Sequence, residues 1–247
     1  MNKLIFCCIL LFLSFQNTIS SQERSVYKDS LEMEKVIERS LYKAESIYSE
    51  KPIMAVIKVL DKKQGNIWGY WKSFTLLYLS YFYEQQKEPS KAKRALETAA
   101  SLIESESEKT TEDYALLAYI QCLSIQYAKG MECGVLSTKS RNNAKRAVRE
   151  DPDNLRGWLV LGVLDYFTPR QLGGKELCEE YFMKAIQLKA RKSANPYRPG
   201  WGKPDAYQLL MDYYLECGEK GKARNVYQMA VKEFPDTKQW DKYGKEF

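Results

Sequence analysis

Apolar residues recur along most of the chain at intervals of three and four. The clearest instance lies near the end, where two such stripes precede a proline: Tyr207, Leu210, Met211, Tyr214, Ala223, Tyr227, Ala230 and Pro235. Positions with this spacing share one face of an α-helix. Proline cannot donate a backbone hydrogen bond, so it ends the second stripe. The pattern predicts two amphipathic helices joined by a short turn.

Small residues on the second helix predict how the two helices meet. Ala223 and Ala230 lie seven positions apart on one face, with Tyr227 between them. Two helices approach closely only where side chains are small, because a larger side chain there would overpack the contact. The aromatic ring then fits between the alanines as the large contact. We therefore expect an antiparallel helix pair.

The first helix has a large residue, Leu and Tyr at fixed positions, and the second has Ala, an aromatic residue and a second Ala. This order resembles the tetratricopeptide (TPR) repeat. A second copy holds the spacing throughout, at Leu76, Leu79, Ser80, Tyr83, Ala92, Leu96 and Ala99, and two less regular copies lie between them. The resemblance implies an all-α fold of antiparallel helix pairs stacked as a TPR-like right-handed solenoid. The expected single domain covers 21–247, with a helical region at 28–64 and repeats at about 73–105, 112–152, 155–190 and 204–237.

The beginning of the chain has the pattern of a signal peptide. Lys3 precedes an apolar run at 4–15, and Thr18 to Ser20 supply small residues of the kind read by a signal peptidase. The run is shorter than the roughly twenty residues that a membrane span needs. The sequence therefore predicts cleavage near Ser20, a periplasmic or secreted protein, and no stable membrane span afterwards. A retained membrane anchor is the alternative.

Export would permit disulfide bonds. Four cysteines follow the predicted signal peptide: Cys122, Cys133, Cys178 and Cys217. Cys178 and Cys217 fall at helix-packing positions and are interpreted as small buried side chains. Cys122 and Cys133 flank a turn at Gly130, so a bridge between them is a hypothesis that depends on tight geometry.

The composition narrows the classes of function. The chain has no histidine, so no Ser–His or Cys–His pair can form, and we expect no catalytic residue, no metal site and no cofactor. The net charge of +6 is spread over the chain, whereas a nucleic-acid-binding protein concentrates basic residues on one face. These features predict a non-enzyme with no nucleic-acid partner.

One segment carries positive charge and aromatic rings without an acid. Residues 189–204 contain three prolines, so they do not form a continuous helix. The favoured interpretation is a connector whose rings cap the core of the array, and the alternative is a rim for a small anionic ligand or an acidic partner, formed by Arg191, Lys192, Arg198, Trp201 and Lys203. The longer stretch 151–204 resembles small exported repeat proteins of Gram-negative bacteria, which implies export and fold but no activity.

Two functions remain open. The leading hypothesis is an exported scaffold that binds another exported protein or a peptide in the concave groove, through Gln121, Asp165, Gln208 and Asp212 on the first helices of the repeats. The alternative is a periplasmic small-ligand-binding protein linked to solute uptake, because the 18 tyrosines could line a cavity. An enclosed polar pocket between the array and the 189–204 connector would favour the ligand, and an open shallow groove would favour the peptide.

Overall fold

The computed structural model describes residues 28–188, 197–235, 238–244 and 246. Within these ranges the regular structure is entirely helical, which confirms the all-α prediction. Ten longer helices and a final short helix follow one another: α1 Lys28–Ser46, α2 Lys51–Leu60, α3 Asn66–Gln85, α4 Pro89–Ser105, α5 Thr111–Ser124, α6 Met131–Glu150, α7 Leu155–Phe167, α8 Cys178–Gln187, α9 Lys203–Glu216, α10 Lys220–Glu233 and α11 Asp241–Gly244.

Consecutive helices pack as pairs, α3 with α4, α5 with α6, α7 with α8, and α9 with α10. Small residues of the second helices are fully buried: Ala92, Ala99, Ala144, Ala147, Ala185, Ala223 and Ala230. Because these side chains are small, the second helix of each pair can lie close against the first. The pairs then stack, so that the first helices α3, α5, α7 and α9 neighbour one another and share the core.

Side chains fix where helices begin. Thr110 caps α5: its hydroxyl accepts a bond from the Asp113 amide, and the Asp113 carboxylate accepts one from the Thr110 amide. The long turn between α7 and α8 is tied in a similar way, because Asp165 accepts from the backbone amides of Leu177 and Cys178, at 2.8 Å each. These bonds satisfy amides that a helix start leaves without a partner.

The last aromatic residues close the far end of the array. Trp240 and Tyr243 are buried, and the Tyr243 hydroxyl donates to the Asp212 carboxylate at 2.5 Å. Gln239 donates to the Gln208 side chain on the same helix, α9. The segment after α10 therefore covers the terminal repeat.

The structure does not test the predicted signal peptide, but it does test the predicted disulfide bond. The signal peptide at 1–20 lies outside the described residues, and among those that are described no helix is long and apolar enough to cross a membrane. Cys122 and Cys133 are free thiols, so the bridge considered from the sequence does not form in this structure. Cys122 is buried on α5, while Cys133 is only partly covered in the first turn of α6.

Candidate ligand site between the array and the connector

The segment between α8 and α9, here called the connector and described from residue 197 to 202, folds back onto the first helices. Its Trp201 side chain is buried, with ring centroids 5.5 Å from Phe74 of α3 and 5.4 Å from Tyr119 of α5. The indole nitrogen donates to the Tyr70 hydroxyl at 2.8 Å. The connector therefore occupies part of the surface formed by the first helices, here called the inner face, on which a bound peptide was expected to lie.

Arg156 of α7 holds the connector from one side. Its Nε and Nη2 atoms donate to the two Glu112 carboxylate oxygens at 2.5 and 2.7 Å, and Nη1 donates to the Trp201 carbonyl at 3.0 Å. Burial alone would lower the pKa of this guanidinium, but the charge and hydrogen bonds of Glu112 hold it above its usual value. The buried bidentate pair thus fixes both α5 and the connector.

Glu34 of α1 holds the connector from the other side. One of its carboxylate oxygens accepts from the backbone amides of Gly200 and Trp201, at 2.6 and 3.1 Å. Burial raises the pKa of this carboxyl to about 7, although both amides and the charge of Arg156 act in the opposite direction. The connector is therefore clamped at its amides by Glu34 and at a carbonyl by Arg156.

A pocket of about 430 Å³ opens beside the clamped connector. It lies between the starts of α3 and α5 and the connector, within the size range of small-molecule sites. Its lining combines hydroxyl, amide, carboxylate and guanidinium groups with a little apolar surface: Asn66, Ile67, Tyr70, Thr110, Thr111, Glu112, Asp113, Asp151, Arg198 and Pro199. The pocket can both donate and accept hydrogen bonds.

The charges around the pocket largely offset one another. Arg198 lies 3.5 Å from both Glu112 and Asp151, and its side chain is 28% exposed. Together with Arg156 it balances those two carboxylates. Asp113 is the remaining acid, and burial raises its pKa while its bonds to Thr110 act in the opposite direction. The arrangement suits a neutral polar ligand or one with a single charge better than a polyanion.

The four groove contacts predicted from the sequence have internal partners. Gln121, Asp165 and Gln208 are buried, and Asp212 accepts from Tyr243. Gln121 donates to Glu104 and accepts from Asn143, while Asp165 and Gln208 make the bonds described above. None of the four lines the pocket, and their role as partner contacts stays a prediction. The polar residues of the first helices face the neighbouring helices here, because each first helix is buried almost all round.

Of the residues predicted to form the anionic rim, the three that the structure describes point to different surroundings. Arg191 and Lys192 lie outside the described residues. Trp201 is in the core, Lys203 pairs with Glu233 of α10 at 2.5 Å, and Arg198 alone reaches the pocket. The described part of the connector agrees with the favoured interpretation, in which its aromatic ring caps the core.

Sequence reasoning missed the residues that fix the connector, namely Glu34, Tyr70, Glu112 and Arg156. One signal was available, because Arg156 stands as the single charge in the first ten residues of the otherwise apolar α7. A charge on an apolar helix needs a buried partner. Its partner, Glu112, lies 44 residues away on α5, and a pattern of neighbouring residues cannot identify a partner so far along the chain.

Comparison with known proteins defines the class of protein. No family model and no curated protein matches the chain. Among solved structures, the thermophilic TPR protein TTC0263 from Thermus thermophilus is similar with a TM-score of 0.51 and 16% identity over 81% of this chain and 92% of that one. The HusA haemophore from Porphyromonas gingivalis gives 0.52 and 18% over 80% and 96%. At these identities the likeness shows the fold alone.

The fold and its structural neighbours together show a TPR-like helical-repeat protein. Proteins with one fold can have unrelated functions, so the function of this chain must be argued from the site it carries.

Proposed function

We propose that this chain is an exported, non-catalytic binding protein that holds a small polar molecule in the pocket between the connector and the starts of α3 and α5. The observation that supports the proposal is a polar-lined pocket beside the connector, although it is partly open and not enclosed as the ligand-binding hypothesis expected. The inner face beside it is occupied by Trp201 and by α1, so an extended peptide has less room there.

The lining indicates the chemistry of the ligand. Arg198 is held by two long contacts of 3.5 Å and keeps part of its surface exposed, so it can turn towards a ligand oxygen. Asn66 and Thr111 add neutral polar groups, and Glu112 and Asp151 add acceptors. A molecule with several hydroxyl or amide groups and at most one charge fits this set, since each ionised side chain already has a partner.

The proposal of export rests on the pattern at residues 1–20. The haemophore among the structural neighbours supports the fold, and nothing in the pocket corresponds to a haem-ligating histidine because the chain has none. Haem is therefore a compound to test rather than the expected ligand.

A second candidate function is binding of another exported protein, as the sequence first suggested. The observation in its favour is a set of exposed apolar side chains on the first helix pair and its turn: Tyr42, Ile47, Tyr48 and Val59. Terminal repeats normally present a polar outer surface. Exposed rings at the end of an array are suited to packing against a partner.

Native mass spectrometry on protein purified gently from its own cells tests both candidates. A bound mass of a few hundred daltons, absent from the Arg198→Gln variant and kept by Arg149→Gln on the exposed surface of α6, would support the pocket. A co-purified protein lost on Tyr48→Ser would support the scaffold instead, and haem would be recognised by its visible absorbance. The pocket proposal would be overturned if no bound mass appeared and no polar compound raised the Tm of wild type more than that of Arg198→Gln.

A further inference from the structure

The side of α6 that faces away from the array combines apolar and basic side chains. Ser140, Ala144 and Ala147 are fully buried where α6 packs on α5 and α7. Residues on the opposite side of the helix follow one another at spacings of three and four, so they share one face. This outer face of α6 consists of Met131, Val135, Lys139, Asn142, Lys145, Arg146 and Arg149, all of them exposed.

The outer face begins with two apolar side chains. Met131 and Val135 lie one turn apart and are 89% and 53% exposed. Met131 is the most exposed large apolar side chain in the part of the chain that the structure describes. Neighbouring apolar groups in water are unfavourable, and their burial by a partner would stabilise the contact.

The rest of the outer face is basic. Between residues 133 and 149 there is no acid, while five cations occur there: Lys139, Arg141, Lys145, Arg146 and Arg149. The acids on either side are already paired, since Glu132 lies 3.5 Å from Lys93 of α4, and Glu150 lies 2.7 Å from Arg146. Among the described residues, Lys139 and Lys145 form no ion pair. The positive charge of α6 therefore exceeds that of its acids and is directed outward.

We propose that the outer face of α6 binds an anionic membrane surface, with Lys139 and Lys145 against lipid phosphates and with Met131 and Val135 at the boundary between headgroups and acyl chains. Helices that lie at this boundary combine basic with apolar side chains. A lysine can keep its ammonium group among the headgroups while its apolar stem covers the acyl chains below. This inference goes beyond the ligand pocket and does not depend on it.

The chemistry of the outer face favours a lipid surface over other partners. A helix of 20 residues is about 30 Å long, and its exposed face forms a ridge that suits contact with a flat surface. In a symmetric dimer through this face, the same cations would meet and repel. An acidic segment of a protein would match the cations alone, whereas a lipid surface offers phosphates to the cations and acyl chains to Met131 and Val135.

Sedimentation of the full mature chain with lipid vesicles tests the proposal. Vesicles of phosphatidylglycerol and phosphatidylcholine in equal parts carry negative charge, and vesicles of phosphatidylcholine alone are the neutral reference. In ~50 mM salt we expect binding to the charged vesicles to be at least about tenfold stronger, and in ~500 mM salt we expect most of that preference to disappear, because salt screens exposed charges. Equal binding to both kinds of vesicle, or binding to neither, would overturn the proposal.

Matched variants separate α6 from the overall net charge. Lys139→Gln with Lys145→Gln should weaken binding to the charged vesicles at least about tenfold, since each basic residue at an anionic surface contributes roughly fivefold. Lys87→Gln with Lys220→Gln removes the same charge from exposed positions outside α6 and should bind as wild type does. An equal loss in both double variants would contradict a site on α6.

The apolar part of the face has its own test. Met131→Ser with Val135→Ser should weaken binding to the charged vesicles at least about threefold, because apolar surface is no longer buried among acyl chains. Leu172→Ser, at a side chain that is 77% exposed in the turn before α8, is the control and should bind as wild type does. Unchanged binding of the Met131 and Val135 variant would overturn their placement in the membrane.

An acidic protein is the partner that this experiment must distinguish from lipid. Polyglutamate serves as the probe, because it offers carboxylates without acyl chains. Wild type that binds polyglutamate through Lys139 and Lys145, but does not bind the charged vesicles, would assign the outer face of α6 to an acidic protein and overturn the membrane proposal.

Discussion

The ring of Phe182 on α8 occupies the space that a side chain at Gly162 on α7 would need. A Cβ atom built on Gly162 would lie 2.4 Å from Cε1 of Phe182, well inside van der Waals contact. Phe182 is fully buried, and this close approach brings the two helices of the pair together. The glycine is therefore required by packing, since the backbone at this position is ordinary helix.

Gly162→Ala should destabilise the protein by about 1–3 kcal/mol, because Phe182 must move in a packed core. The matched control is Gly134→Ala in α6, where an added Cβ meets nothing within 4 Å. That change should be neutral or stabilising by up to about 1 kcal/mol, as expected for alanine in a helix. Urea unfolding of both variants measures the difference. Equal stability of the two would show that the α7–α8 contact is looser than described.

The buried pair of Arg156 and Glu112 gives a second prediction. Arg156→Met leaves the buried Glu112 carboxylate with only the longer 3.5 Å contact to Arg198, which should cost up to about 3–5 kcal/mol in the free energy of unfolding. Glu112→Gln should also destabilise, since it leaves the guanidinium uncompensated. The double variant should lose less than the sum of the two, because it removes both charges.

The control for this cycle is Arg149→Met, whose exposed side chain lies 3.8 Å from Glu150. Surface pairs contribute about 0–1 kcal/mol, so this variant should resemble wild type. Strict additivity of Arg156→Met and Glu112→Gln would mean that the two side chains do not interact as described.

Much of the fold could be predicted from local sequence, and the site could not. The spacing around Ala223, Tyr227 and Ala230 identifies a helix pair because packing within a pair involves residues close in sequence. The Trp201 indole donates a hydrogen bond to Tyr70, 131 residues earlier, and no local sequence pattern indicates a contact between residues so far apart. Gln121 illustrates the other difficulty, because the sequence does not show that its side chain bonds to Glu104 and Asn143 on the neighbouring helices.

The four cysteines should differ in their reaction with iodoacetamide at about pH 8. Burial raises the pKa of both Cys122 and Cys178 to about 12, so the reactive thiolate is scarce as well as shielded. Cys217 is exposed, so the buried position predicted for it from the sequence is wrong, and Cys133 is partly exposed; these two should be modified first. Peptide mass spectrometry after a short labelling time measures the order. Labelling of Cys122 before unfolding would contradict its burial on α5.

The start of α5 supplies the last prediction. The Thr110 hydroxyl donates to Asp113 at 2.7 Å and accepts from the Asp113 amide at 3.3 Å, so it connects the helix cap to the lining of the pocket. Thr110→Ala should lower the free energy of unfolding by about 1 kcal/mol, the usual cost of losing an N-cap.

The same substitution at Thr98, within α4, removes only a bond to the Arg94 carbonyl in the same helix. That control should be neutral or slightly stabilising, because alanine is the better helix former and threonine there bonds its own backbone. Thermal unfolding of the two variants at one pH compares them directly. A Thr110→Ala variant as stable as Thr98→Ala would indicate that Asp113 alone is sufficient to cap α5, through its bond to the amide of residue 110.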